Sequence, residues 1–279
     1  MQRIFNNTFL ILFLLAIFFV ACKKGSIETN YNPVLNVANN QVIAERAYSQ
    51  VFNIFFMVVS DSSLKNTGSD TIFGAHCTYQ DTDDIVYVID YFDYYTSCPD
   101  GKVRKGMITA TLDKDFSKEG ATATLTFDNY VVDDLMLNGE NTISFFGYVQ
   151  GIKAFTHDVP SGILTLYDTV SHGSFSWSSS KNFSWVEGMS TPEYFDDDVF
   201  EISGTSNGVD LYNAAFSSVI DEPLGDYFDC RWIRGGQVSL STPGLDVRNG
   251  YILYNPDSCT NLVEYYFNGN LFYDKFEKH

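Results

Sequence analysis

Hydrophobic positions along the chain follow three successive patterns. From Phe9 to Val20 every residue is apolar. From Val37 to about Leu64, Ala44, Tyr48, Val51, Phe55 and Val58 recur every three to four residues, with Glu45, Arg46, Ser49, Gln50 and Asn53 between them. That period predicts one amphipathic helix, whose second half, Val51 to Val59, is apolar nearly all round and so is expected either to be covered on several sides or to be a strand. Beyond residue 70 the period falls to two. Ile108, Ala110 and Leu112 alternate with Thr109 and Thr111, and Ala121, Ala123, Leu125 and Phe127 alternate with Thr122, Thr124 and Thr126. Phe175, Trp177, Phe183 and Trp185 share one face of a further segment whose other face is serine. Alternation of this kind predicts strands with one dry and one wet face.

Asn138-Gly139, Asn207-Gly208, Asn249-Gly250 and Asn268-Gly269 are each candidates for type I′ hairpin turns, which require positive φ at both central residues. No alternation of strand with helix is visible, which excludes a parallel α/β sheet. The expected fold is mostly β: a large antiparallel meander sheet or sandwich with one N-terminal amphipathic helix packed on it. Residues 103–109 and 233–239 are similar at an offset of 130, which Asn138-Gly139 and Asn268-Gly269 share. Two readings are open, duplication within one domain and convergent hairpin design.

The first apolar run changes the picture of where the domain lives. Arg3, the run itself and Ala21-Cys22 have the order of a charged n-region, an h-region and a small residue at a cleavage site. Phe19-Val20-Ala21-Cys22 resembles the bacterial lipobox. Residues 1–21 are therefore expected to be a lipoprotein signal peptide, Cys22 the lipidated N-terminus, residues 22–36 a flexible tether, and residues 37–279 one helix-plus-β domain. The expected membrane partner is reached through acyl chains, which contribute about 0.8 kcal/mol per buried CH₂.

The chain has 279 residues, with 17 Lys plus Arg against 35 Asp plus Glu, a formal balance of −18. No cationic run is present to neutralise phosphates, so nucleic acid is excluded as a partner. Setting Cys22 aside, Cys77, Cys98, Cys230 and Cys259 are disulfide candidates with three possible pairings, of which the sequential one closes two loops of moderate length.

Candidate chemistry is sparse. No nucleophile elbow, HExxH helix, Walker loop or dinucleotide fingerprint occurs, and no cofactor is expected. Asp81, Asp83 and Asp84, and again Asp196, Asp197 and Asp198, are clustered carboxylates of the type that binds Ca²⁺, though without EF-hand spacing. Tyr91, Tyr94, Tyr95, Trp177 and Trp185 are the aromatic side chains best placed to stack on sugars if they are exposed.

Cys98-Pro99-Asp100-Gly101-Lys102-Val103-Arg104-Lys105-Gly106, Thr126-Phe127-Asp128-Asn129-Tyr130-Val131-Val132, Trp177-Ser178-Ser179-Ser180 with Trp185-Val186-Glu187-Gly188, and Ile202-Ser203-Gly204-Thr205 together resemble an uncharacterised lipoprotein family of the Bacteroidota. The likeness runs from the helix to the C-terminus. It implies a lipid-anchored, β-sheet-rich outer-membrane lipoprotein and assigns no activity. With Lys23-Lys24 after Cys22, and the first acid delayed to Glu28, both the periplasmic and the outer face of that membrane stay open. The expected function is a non-catalytic envelope protein with a binding or structural role, its partner a polysaccharide or an envelope protein. The alternative is a glycan-binding module or a glycan-active hydrolase at the cell surface.

Overall fold

The fold is described by a computed structural model, which covers residues 30–167, 172–192 and 194–276. Residues 1–21, expected to be a signal peptide, and Cys22 lie outside these residues.

The helical period is realised as α1 (Asn32–Ser60), with Pro33 in its first turn, where a missing N–H costs nothing. Residues 32–36, expected to belong to the tether, are therefore helical, and the compact unit begins at Tyr31. Asp61 ends α1 and at once caps a short helix α2 (Ser62–Thr67), accepting the Leu64 N–H at 2.6 Å. That helix stops at Gly68, whose φ of 79° is the left-handed conformation of a helix terminus.

All that follows is antiparallel sheet. The strands are β1 (Ser69–Ile72), β2 (Ala75–Asp81), β3 (Ile85–Asp90), β4 (Thr96–Ser97), β5 (Val103–Leu112), β6 (Thr122–Val132), β7 (Leu135–Asn138), β8 (Asn141–Val149) and β9 (Ile152–Tyr167). They continue with β10 (His172–Glu187), β11 (Val199–Val209), β12 (Ala215–Glu222), β13 (Leu224–Tyr227), β14 (Gln237–Ser241), β15 (Asn249–Tyr254), β16 (Leu262–Phe267) and β17 (Asn270–Lys275). Each row pairs with the next in chain order, which makes one meander and not a sandwich. Three short strands continue a row already begun: β4 beside β5, β7 between β6 and β9, and β13 beside β11.

Turn chemistry departs in part from expectation. Asn268-Gly269 forms the two-residue turn between β16 and β17, with φ of 50° and 76°. Asn138-Gly139 instead marks the break between β7 and β8 in one row, Asn207-Gly208 lies inside β11, and Asn249-Gly250 opens β15. Two hairpins use Phe73-Gly74 and Gln150-Gly151, with positive φ at all four residues. These escape a search for Asn-Gly because tertiary pairing forces Phe73 and Gln150 into a conformation their side chains do not favour.

The sheet curls around α1, which is buried on nearly every side. Phe52 stacks on Phe183 of β10 at 4.0 Å and meets Phe155 of β9 and Phe200 of β11 edge-on. Phe55 meets Phe116, Tyr48 stacks on Trp177, and Asn39 accepts a hydrogen bond from the Tyr265 hydroxyl of β16. The helix is long and apolar enough to cross a membrane, yet 83% of its most apolar window is buried within the protein. Polar groups also enter this interior. Lys181 Nζ contacts Glu45 Oε2 at 2.7 Å, and Gln41 links Glu45, Trp177 Nε1 and Ser206.

Candidate functional site

Arg46, Ser49, Gln50, Asn53, Ile54 and Met57 fall at helical spacing on one stripe of α1 and form one wall of a cleft of about 700 Å³. The opposite wall comes from the β4–β5 turn (Pro99, Asp100, with Arg104), from Phe195, and from the segment after β13 that runs from Phe228 to Ile233. That size is within the range of small-molecule sites. The Cys230–Cys259 disulfide, with Cα atoms 5.6 Å apart, ties this last segment to the loop before β16, and both cysteines line the cleft.

Cations converge here in a chain that is otherwise acidic. Arg104 is fully buried and forks onto Asp100, with Nη1 to Oδ1 at 2.9 Å and Nη2 to Oδ2 at 2.6 Å. Burial disfavours its charge, but the Asp100 bonds and the nearby Tyr130 and Tyr91 outweigh that and hold its pKa above the ordinary arginine range. Lys102 sits 3.6 Å from Asp133, and its pKa is pulled down to about 7, first by burial and then by Arg46. Arg46 is only 3% exposed, with its Cζ 3.6 Å from the centre of the Trp232 ring. Its Nε, Nη1 and Nη2 have no hydrogen-bond partner among the described residues. Burial pulls its pKa well below the usual value, Tyr254 opposes this and Arg231 adds to it. Asp226 accepts from Asn53 Nδ2 at 3.0 Å, and burial pushes its carboxyl up to about 6 despite that bond.

The sequence-derived candidates are scattered by comparison. Cys230 and Cys259 are bonded as the sequential pairing expects, while Cys77 and Cys98 are separate buried thiols facing the Ala75 and Thr96 carbonyls. Asp81, Asp83 and Asp84 lie exposed on the β2–β3 connection. Asp196 and Asp197 belong to a single 3₁₀ turn; Asp197 accepts from the Thr191 hydroxyl, and Asp198 turns inward to accept from Trp185 Nε1 at 2.9 Å. Neither acid cluster converges, and no group of three or more His, Cys, Asp or Glu among the described residues can hold a metal ion.

Trp177, Trp185 and Tyr91 are core residues, at 1%, 2% and 0% exposure, so they offer no face to a sugar. Tyr94 and Tyr95 are exposed, and Tyr94 stacks on Phe92. His157 is enclosed by Tyr48, Phe52 and Phe183, and burial with the nearby Lys181 drives its pKa down to about 3.

Sequence reasoning missed Arg46, Arg104, Asp226 and Trp232. The available signal was the run Arg46, Ser49, Gln50, Asn53, which the helical period sets opposite the apolar stripe. In the fold Arg46 and Ser49 are buried and the whole run lines the cleft. No family model, curated protein or solved structure matches this chain.

Proposed function

We propose that this chain is a non-catalytic, lipid-anchored protein of the cell envelope that holds a small molecule in the cleft beside α1. The observation that carries the reading is the cleft itself, where a mostly polar stripe of α1 faces a wall of mixed aromatic and charged residues tied by a disulfide. Polar groups buried without partners at such a wall stabilise little by themselves and are suited to receiving a ligand. Two charged pairs at or near the cleft, Arg104 with Asp100 and Lys102 with Asp133, are committed to each other, which favours holding over proton transfer. The lipobox-like Phe19-Val20-Ala21-Cys22 and the acidic balance support an anchored domain that stands clear of anionic lipid surfaces.

The test uses an uncharged, environment-sensitive dye, Nile red, titrated into the full chain held in lipid nanodiscs, with empty nanodiscs as the blank. Saturable binding that is lost in Ser49→Trp, which fills the cleft, is the expected result. Binding equal in parent and variant, or none above the blank, overturns the reading.

The exposed Tyr94 and Tyr95 favour a second reading, a glycan-binding surface on the β3–β4 loop. Native gels cast with a polysaccharide panel should then retard the parent chain more than Tyr94→Ala with Tyr95→Ala.

A further inference from the structure

Among the described residues, Arg46 is the charged side chain with the most buried donors left without a partner. A guanidinium presents five N–H donors, and taking it out of water without acceptors costs several kcal/mol. Trp232 covers its face at 3.6 Å, which fixes the plane of the fork but satisfies none of its donors. One turn along α1, the Ser49 hydroxyl is likewise buried and without a partner, and both residues line the same cleft. Arg104, the neighbouring cation, is already forked by Asp100 and has little left to offer a ligand.

We propose that the cleft takes a small amphipathic organic acid, its single carboxylate received by the Arg46 guanidinium with help from Ser49, and its apolar body lying along Ile54, Met57 and Phe228. This rests on the small-molecule reading above and names the ligand class. A planar fork suits a carboxylate because two parallel N–H···O bonds form at once. One negative charge fits better than two, because outside the Arg104–Asp100 pair Asp196, Asp226 and Asp229 also line the walls and would oppose a dianion. The apolar share of the lining provides for a hydrocarbon or aromatic body, and the two sources of such an acid, an aliphatic chain or an aryl acid, are separated by the choice of probe.

The experiment is a titration of the full chain in nanodiscs with octanoate, 4-phenylbutyrate, the primary amide of each, and inorganic phosphate, following tryptophan fluorescence. Trp232 in the cleft reports occupancy. At least tenfold tighter binding of an acid than of its amide is expected, with phosphate alone weaker than either acid. Octanoate ahead of phenylbutyrate identifies the aliphatic source, and the reverse order the aryl one. Arg46→Gln should remove the preference for acid over amide, and Arg46→Lys should restore part of it. If acid and amide bind the parent chain equally, the charged anchor is wrong while the cleft reading stands. If Nile red binds but neither acid does, the ligand class is wrong, and if nothing binds, both proposals fall. The comparison of acid with amide on the parent chain needs no variant, so it decides even if Arg46→Gln does not fold.

Discussion

Asp226 illustrates how one buried atom sets a pH dependence. Its Oδ1 accepts from Asn53, but its Oδ2 has no partner among the described residues, and burial raises its pKa to about 6. The sign follows from proton binding. Between the unfolded value near 4 and about 6, the native state holds more protons than the unfolded one, so stability falls as pH rises through that window and the penalty is complete above it. Asp226→Asn keeps an acceptor for Asn53 and removes the ionisation. It should raise stability by roughly 3 kcal/mol at pH 7 and by little at pH 4. Lys102 acts the other way, since a folded pKa of about 7 makes its contribution improve with rising pH above that value. Urea midpoints of parent and variant at each pH, taken as differences, isolate Asp226. A gain at pH 7 no larger than at pH 4 would show that the carboxyl is not desolvated.

At the scale of elements, the join between α1 and β10 is the most exacting. Lys181 and Glu45 are both nearly inaccessible and meet at 2.7 Å, with Gln41 donating to the same carboxylate oxygen at 3.0 Å. Lys181→Met leaves Glu45 buried without its counter-ion and should cost about 3–5 kcal/mol, whereas Glu45→Met with Lys181→Met together should cost far less. A urea-denaturation cycle over the two singles and the double measures this; equal losses in the single and the double would mean that packing, not charge, decides the join. The same join shows how far the sequence carries. Phe175, Trp177, Phe183 and Trp185 alternate with serines, and all four are buried on the inner face of β10, because a period of two is a local property of the backbone. The apolar half of α1 was legible for the same reason. The fate of its polar stripe was not, because whether Arg46 and Ser49 meet water depends on residues 99–104 and 226–233, brought to the helix only by the curl of the sheet. The turns split likewise. Asn268-Gly269 announces its own conformation, while Phe73 and Gln150 take positive φ only because the strands on either side pair. Gly106 and Gly236, equivalent at the offset of 130, share a positive φ and lie where a Cβ would strike the backbone of a neighbouring segment, so that part of the internal likeness has a backbone cause.

Across the whole molecule, charge is divided between interior and surface. Among the described residues the buried cations Arg46, Lys102, Arg104 and Lys181 are matched in number by the buried acids Glu45, Asp198, Asp210 and Asp226, so the acidity of the chain is displayed outside. What holds the cleft wall in this shell is covalent. Cys230 and Cys259 enclose a loop that contains β14 and β15, and closing a loop of this length removes unfolded-state entropy worth roughly 3–4 kcal/mol in the chain-entropy model. Cys230→Ala with Cys259→Ala should therefore lower the urea midpoint by a corresponding amount. Because both cysteines line the cleft beside Trp232, it should also weaken Nile red binding under conditions where the variant is still fully folded. The two readouts separate two roles of the bond. Loss of stability with dye affinity intact would make the disulfide a staple of the sheet alone. Loss of affinity in the folded variant would make it part of the site, holding Trp232 against the Arg46 guanidinium.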